Sequence, residues 1–222
     1  MNNYLFLLHV YRGVYAMIII GLCGNSGSGK STVCKIFSKY GIPSIDADMV
    51  YRELTTPNAK LTKKLSERFG KEILNDDLSL NRRELSKIVF SDNSEELLKE
   101  LNKITHSSVI EETKKRIAAL AEKGEKAVIF DAPLLFESGF DKECDLIVSV
   151  CAEKEEKIAR IIKRDNVTME LALKRIESQL SEDFLKANSD FVINTGAEHH
   201  DAEIQIKEII KNIFNSEVQN HE

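Results

Sequence analysis

No run of apolar residues in this 222-residue chain is long enough to cross a membrane. Nor is there a block of lysine and arginine. With a net charge of −5, a general nucleic-acid binder is excluded, although a local positive site is not. The four cysteines, Cys23, Cys34, Cys144 and Cys151, form no C-x-x-C pair and lie among apolar residues, so they read as reduced core thiols of a cytoplasmic protein. His199-His200 has no cysteine or carboxylate at ligand spacing, and no metal is expected there. The start of the chain lacks a basic segment and a cleavage site, so a signal peptide is not expected. Met17 stands directly before the first strand and is the expected natural start, which makes 1–16 an N-terminal extension, disordered or a start-site artefact. Internal repeats and low-complexity segments are absent too.

The chain is 42% hydrophobic and 30% charged, a balance that suits one sizeable core or a core with inserted subdomains. Its organising stretch is Gly24-Asn25-Ser26-Gly27-Ser28-Gly29-Lys30-Ser31, which meets the phosphate-loop pattern G-x-x-x-x-G-K-[ST] at every fixed position. The apolar run Met17–Cys23 before it predicts a buried parallel strand. After it, Val33, Ile36, Phe37 and Tyr40 share one face of a predicted helix. Glycines let the backbone approach an anion, and successive amides at a helix start cradle phosphate oxygens. Lys30 is then expected near the β- and γ-phosphates, the Ser31 hydroxyl on Mg²⁺, and Thr32 towards the α-phosphate. The chain is therefore expected to bind a nucleoside triphosphate with Mg²⁺.

Ile42–Asp46 predicts a second strand that ends in Asp46-Ala47-Asp48. Ligands bind outside the carboxyl ends of strands in open α/β sheets. One of these acids suits a general base on an acceptor hydroxyl, and either could instead cap the next helix. The expectation is a split, with Asp48 catalytic and Asp46 structural or holding a Mg²⁺ water. From 50 to 124 the pattern is helical and charged, too long for a simple crossover, and reads as a subdomain that grips the second substrate. Asp92 with Glu95 predicts a helix cap there. Lys126–Asp131 is a third strand whose terminal carboxylate suits Mg²⁺ or its waters. Strands over 145–150 and 190–193 follow. Between them, Arg160, Arg164 and Arg175 lie in a charged helical hairpin over 158–184. It reads as a mobile lid whose arginines neutralise phosphates, or as a solvated face with i,i+4 pairs. The last helix, 201–214, is expected to pack Ile204, Ile206, Ile209, Ile210 and Ile213. Five strands alternating with helices predict an α/β fold: a five-stranded parallel sheet flanked by helices, with core segments 17–49, 125–157 and 185–215, a helical acceptor-binding insertion and a helical lid.

With these residues in place, the chain from Met17 to Phe214 resembles the dephospho-CoA kinase family. The resemblance rests on the phosphate loop, Ile45-Asp46-Ala47-Asp48, Leu101–His106, Pro133-Leu134-Leu135-Phe136-Glu137, and Arg175 with Gln179 ahead of Ser189–Asn194. It implies a kinase core similar to adenylate kinase, and ATP-dependent phosphorylation of the ribose 3′-hydroxyl of dephospho-CoA to give CoA and ADP. Asp48 would be the base, and Lys30, Ser31 and Mg²⁺ would hold ATP. Arg164 would be the lid arginine. Arg83, His106, Leu134, Leu135, Phe136 and Glu137 would line the acceptor pocket, and Asn194 and Gly196 would lie near the adenine. Two departures are visible: Asn25-Ser26 stands where the family usually has Gly-Ile, and His106-Ser107 where it has His-Pro. Expected partners are ATP and dephospho-CoA, with no nucleic acid or membrane, in a monomer or weak homo-oligomer. The rival readings are another small-molecule kinase, such as a uridine or shikimate kinase, and a regulatory ATPase. An Asn-Lys-x-Asp guanine signature is absent, which excludes a GTP switch.

Overall fold

The structure is a computed structural model and describes residues 17–91, 95–196 and 202–215. Residues 1–16, His199-His200 and the Asp92 cap lie outside the described residues. The chain divides into two compact units, residues 1–44 with 123–222, and residues 45–122.

The larger unit is built on a sheet. Its strands are β1 (Ile18–Cys23), β2 (Ser44–Asp46), β3 (Ala127–Asp131), β4 (Leu146–Cys151) and β5 (Phe191–Asn194), in the order β2-β3-β1-β4-β5. Strand β2 straddles the boundary between the units. The sheet is parallel, with β1 set between β3 (Leu22 opposite Asp131) and β4 (Cys23 opposite Ser149). Parallel strands buried on both faces are apolar throughout, which is why β1, β3 and β4 read as continuous apolar runs. Ile18, Ile20 and Leu22 of β1 pack with Val33, Phe37, Ile129, Val148, Ile193, Ile206, Ile209 and Ile213 in the main core. Burying each such side chain contributes about 1.5–3 kcal/mol.

Two aspartates fix the register at the amino ends of the strands. Asp145 accepts the Ile19 amide through Oδ2 at 2.8 Å and donates its own amide to the Ile19 carbonyl at 2.8 Å. Asp190 repeats the arrangement on Ile147, accepting at 2.8 Å and donating at 2.9 Å. The carboxyl ends are thereby left to carry loops.

The sheet is flanked by α1 (Lys30–Lys39) and, later in the chain, by α6 (Lys154–Asp165), α7 (Met169–Glu177), α8 (Glu182–Ala187) and α9 (Ala202–Asn215), the intervening numbers belonging to the smaller unit. Three sequence expectations change here. Tyr40 is the residue after α1, not part of its buried face; it is exposed, with its hydroxyl on Glu203. Ile204 is exposed, because it lies about 200° around the helix from Ile206. The helical hairpin expected over 158–184 ends with α7 at Glu177, and a separate helix, α8, follows Ser181, whose hydroxyl caps the Phe184 amide.

The smaller unit is helical: α2 (Ala47–Leu54), α3 (Lys60–Phe69), α4 (Arg82–Val89) and α5 (Glu95–Glu122). Leu61, Leu65, Phe69, Ile73, Leu80, Leu85 and Val89 form its core. Gly70 closes α3 with φ 95°, a conformation that disfavours side chains. No helix of the described residues is long and apolar enough to cross a membrane.

Candidate active site

The loop between β1 and α1 turns on glycine. Gly27 and Gly29 hold φ of 80° and 91°. A Cβ on Gly27 would sit 2.6 Å from the Lys157 carbonyl, so α6 leaves no room for a side chain there. The loop carbonyls are tied outward. Thr195 Oγ1 donates to the Ser28 carbonyl at 2.6 Å. Arg160 donates to the Gly27 carbonyl at 3.1 Å, to Thr195 Oγ1 at 2.9 Å and to the Thr195 carbonyl at 2.8 Å. The amides of Lys30 and Ser31 begin α1 and have no acceptor within the helix. With the carbonyls anchored on one side, the amides and the positive helix end form an anion cradle on the other. The Ser28 hydroxyl is buried and has no hydrogen-bond partner among the described residues.

Lys30 forms an ion pair with Asp131 at the carboxyl end of β3. The Cys34 thiol donates to the other oxygen of Asp131 at 3.4 Å. Ser31 is exposed in the first turn of α1. A hydroxyl and one carboxylate are hard oxygen donors, which suits Mg²⁺ that takes its remaining ligands from water and phosphate. Among the described residues no cluster of three or more His, Cys, Asp or Glu forms a protein-only metal cage. The thiol of Cys23, at the end of β1, is pushed up to about 12 by burial, as befits an inert core cysteine.

The α6–α7 hairpin meets the loop. Arg164 binds Asp165 through two bonds of 2.8 Å and reaches Ser26 Oγ at 3.3 Å. Arg175 donates to the same carboxylate at 2.5 Å. The hydrogen bonds from Arg164, together with the charges of both arginines, hold the Asp165 carboxyl down at about 2. Just beyond α7, Gln179 Oε1 accepts the Ser26 amide at 2.8 Å, and Asn25 Nδ2 donates to the Leu180 carbonyl at 3.1 Å.

At the end of β5, the Asn194 amide and carbonyl are both bonded by the Gln205 side chain, at 3.0 and 2.9 Å, and Gly196, just beyond the strand, is buried. In the loop after β3, Leu135 is wholly buried and would crowd a Cβ on Gly21, whereas Leu134 and Glu137 are exposed. Phe136 meets Phe184 of α8 edge-on at 5.3 Å.

In the helical unit, Asp46 caps α2, accepting the amides of Asp48 at 2.8 Å and Met49 at 3.1 Å. Asp48 is exposed in the first turn. One turn on, the guanidinium of Arg82 lies over the Tyr51 ring at 5.3 Å and donates to Thr55 Oγ1 at 3.5 Å. Arg83 is exposed, and its side chain makes no hydrogen bond or ion pair among the described residues. His106 is half-buried in the middle of α5, which runs 28 residues without a break; Ser107 leaves the helical N–H in place that a proline would remove.

Residues 18–201 match the family model for dephospho-CoA kinase. The chain belongs to the dephospho-CoA kinase family. It is 37% identical over 194 residues to a dephospho-CoA kinase of Bacillus cereus, covering 87% of this chain and 96% of the relative. A dephospho-CoA kinase of Listeria monocytogenes is 41% identical over 175 residues, 79% of this chain and 86% of the relative. Among solved structures, one from Thermus thermophilus superposes with a TM-score of 0.72 at 28% identity, covering 90% of this chain and 97% of that one. A shikimate kinase from Acinetobacter baumannii shares the fold alone, with a TM-score of 0.52 at 15% identity, covering 91% of this chain and 96% of that one.

Of the residues the sequence singles out, the larger unit brings together Asn25 to Ser31, Asp131 and Arg164. It turns Leu135 into the core. Arg160, for which a lid arginine and an i,i+4 pair both stood open, pairs with Glu156 at 3.1 Å and also donates to the Gly27 and Thr195 carbonyls. Thr195, missed by the sequence reading, lies between Asn194 and Gly196 and carries the contact to the loop. In the smaller unit Arg82 lies over the Tyr51 ring, whereas its neighbour Arg83 is over no ring among the described residues. Arg82 is the first residue of a helix capped by Asn81, but its contact with Tyr51 depends on tertiary packing that the sequence does not print.

Proposed function

We propose that the Asn25–Thr32 loop, Asp131 and Arg164 form the nucleotide half of a dephospho-CoA kinase site, and that Asp48 is its base. The reaction of the family is ATP-dependent phosphorylation of the ribose 3′-hydroxyl of dephospho-CoA, the last step of coenzyme A synthesis. The observation that carries the reading is the Lys30–Asp131 pair beside the amide cradle, in a chain matched by the family over 18–201. A lysine poised against a carboxylate, with an exposed serine hydroxyl next to it, is the constellation that receives a metal-bound triphosphate.

In this reading the loop amides and Lys30 hold the β- and γ-phosphates. Ser31 and Asp131 would hold Mg²⁺, Asp131 directly or through water. When bound, the metal neutralises charge that develops on the transferring group. Arg164 adds a positive charge from the hairpin. Asp48 orients the acceptor hydroxyl and takes its proton late, so the base does little before the P–O bond to ADP has loosened. Arg82, Arg83, Tyr51, His106, the exposed Leu134 and Glu137 and the half-buried Phe136 are the acceptor-side candidates. Asn194 and Gly196 lie towards the base of the nucleotide, as side chain and spacer, since the Asn194 main chain is already bonded to Gln205. The protein works in the cytoplasm as a monomer or weak homo-oligomer.

The test is ADP release from ATP and Mg²⁺, with and without dephospho-CoA, alongside CoA formation. CoA formed in step with ADP is the expected result. ADP release indifferent to dephospho-CoA would overturn it in favour of a regulatory ATPase.

A further inference from the structure

Asn25 and Ser26 open the phosphate loop, and both reach the hairpin and the turn after it. The Asn25 side chain donates to the Leu180 carbonyl. The Ser26 hydroxyl meets Arg164, and the Ser26 amide is taken by Gln179. A glycine at 25 and an isoleucine at 26 could supply neither side-chain contact, since one has no side chain and the other no polar atom. The three contacts together join the beginning of the phosphate loop to both ends of the segment 164–180 using protein atoms only.

Arg164 needs such a hold. Its guanidinium is more than half exposed and is turned by Asp165, which Arg175 also engages. An exposed ion pair fixes a long side chain poorly. The Ser26 and Gln179 contacts fix the segment on which Arg164 stands, and Ser26 Oγ meets the guanidinium itself.

We infer that Asn25, Ser26 and Gln179 are positioning residues: they latch the 164–180 hairpin to the phosphate loop and so aim Arg164 at the transferring phosphoryl group. The inference rests on the kinase reading above and adds to it a latch between the loop and the hairpin. Gln179 acts through the amide of Ser26, Asn25 through the turn at Leu180, and both act on turnover through Arg164.

Two measurements test it. The first needs no activity: amide hydrogen exchange of the folded chain, comparing wild type with Gln179→Leu and with the double variant Asn25→Gly, Ser26→Ile. Loss of one net hydrogen bond corresponds to about a threefold to tenfold change in an opening equilibrium. Exchange of the Ser26 amide and of residues 164–180 should quicken by that factor in both variants, while the β1 and β4 amides stay protected. Unchanged exchange over 164–180 overturns the latch, whether or not the chain makes CoA. The second is a double-mutant cycle on turnover with dephospho-CoA. Gln179→Leu should lower kcat by about threefold to tenfold in the wild type, and by less than about twofold in an Arg164→Ala background. An equal loss in both backgrounds means that Gln179 acts without Arg164 and overturns the proposal. A chain that forms no CoA at all refutes the kinase reading and leaves the exchange result to decide the latch. Gln179→Glu, which keeps an acceptor for the Ser26 amide, should restore slow exchange at Ser26 and separates a lost hydrogen bond from a lost fold.

Discussion

Thr195 Oγ1 gives its proton to the carbonyl of Ser28 and accepts one from Arg160. One hydroxyl thus links the end of β5, helix α6 and the back of the phosphate loop. Thr195→Val keeps the shape and removes both bonds. The KM for ATP should rise about threefold to tenfold, the size of one or two net hydrogen bonds, with a smaller change in kcat. Steady-state kinetics at varied ATP checks this, and a thermal midpoint near that of wild type shows that the fold is kept.

Lys30 is held by Asp131 before any phosphate is considered. Lys30→Met removes the ammonium and retains the stem. Turnover should fall by about 10²–10³, as when one preorganised charge-stabilising donor is lost. A kcat within about threefold of wild type would remove Lys30 from the chemistry.

Asp46 is occupied as the cap of α2, and Asp48, two residues on, is the proposed base. Asp48→Ala should lower kcat by roughly 10²–10⁴, with the affinity for ATP largely kept. Asp46→Ala should mainly cost stability, about 0.5–2 kcal/mol for a lost cap. Chemical denaturation and turnover, measured on both variants, separate the two roles.

Asp165 sets a pH dependence. Arg164 holds its carboxyl down at about 2, below the ordinary aspartate value of 3.8. The deprotonated form is the one favoured by folding, so its contribution is present above about pH 4 and is lost as pH falls through about 2. The difference in thermal midpoint between wild type and Asp165→Asn should therefore be constant near neutrality and vanish towards pH 2. A difference that persists unchanged at pH 2 would show that the arginine pair does not stabilise the hairpin.

Chelation should abolish CoA formation, and added Mg²⁺ should restore it, if Ser31 and Asp131 hold the metal as proposed. Activity that survives exhaustive chelation would count against the assignment.

The sheet was readable from the chain because parallel strands buried on both faces leave predominantly apolar runs, as at 18–23, 127–130 and 146–151. The loop was readable because its glycines and Lys30-Ser31 are adjacent in sequence. The roles of Arg160 and Arg164 were not. They are four residues apart on one helix, so periodicity puts both on the same face and cannot say which meets a carbonyl and which a hydroxyl. That distinction depends on Thr195, which lies 35 residues beyond Arg160. Helix α8 was missed because it is six residues long, too short for periodicity, although Ser181 followed by Glu182 and Asp183 is a start signal. The exposure of Ile204 follows from helix phase alone and could have been read.

Asp145 and Asp190 stitch the amino ends of neighbouring strands with side-chain and main-chain bonds together. The opposite rim carries the phosphate loop, Asp131 and the residues after β5. Alignment and chemistry are thus assigned to different borders of one sheet. Such a division of labour makes the scaffold easy to repurpose: loops on the reactive rim can be exchanged for others that grip a different alcohol while the strands keep their partners. It also separates two kinds of damage. A lesion at Asp145 or Asp190 should show up as lost yield of folded protein, and one at Lys30 or Asp131 as well-folded protein that does no work.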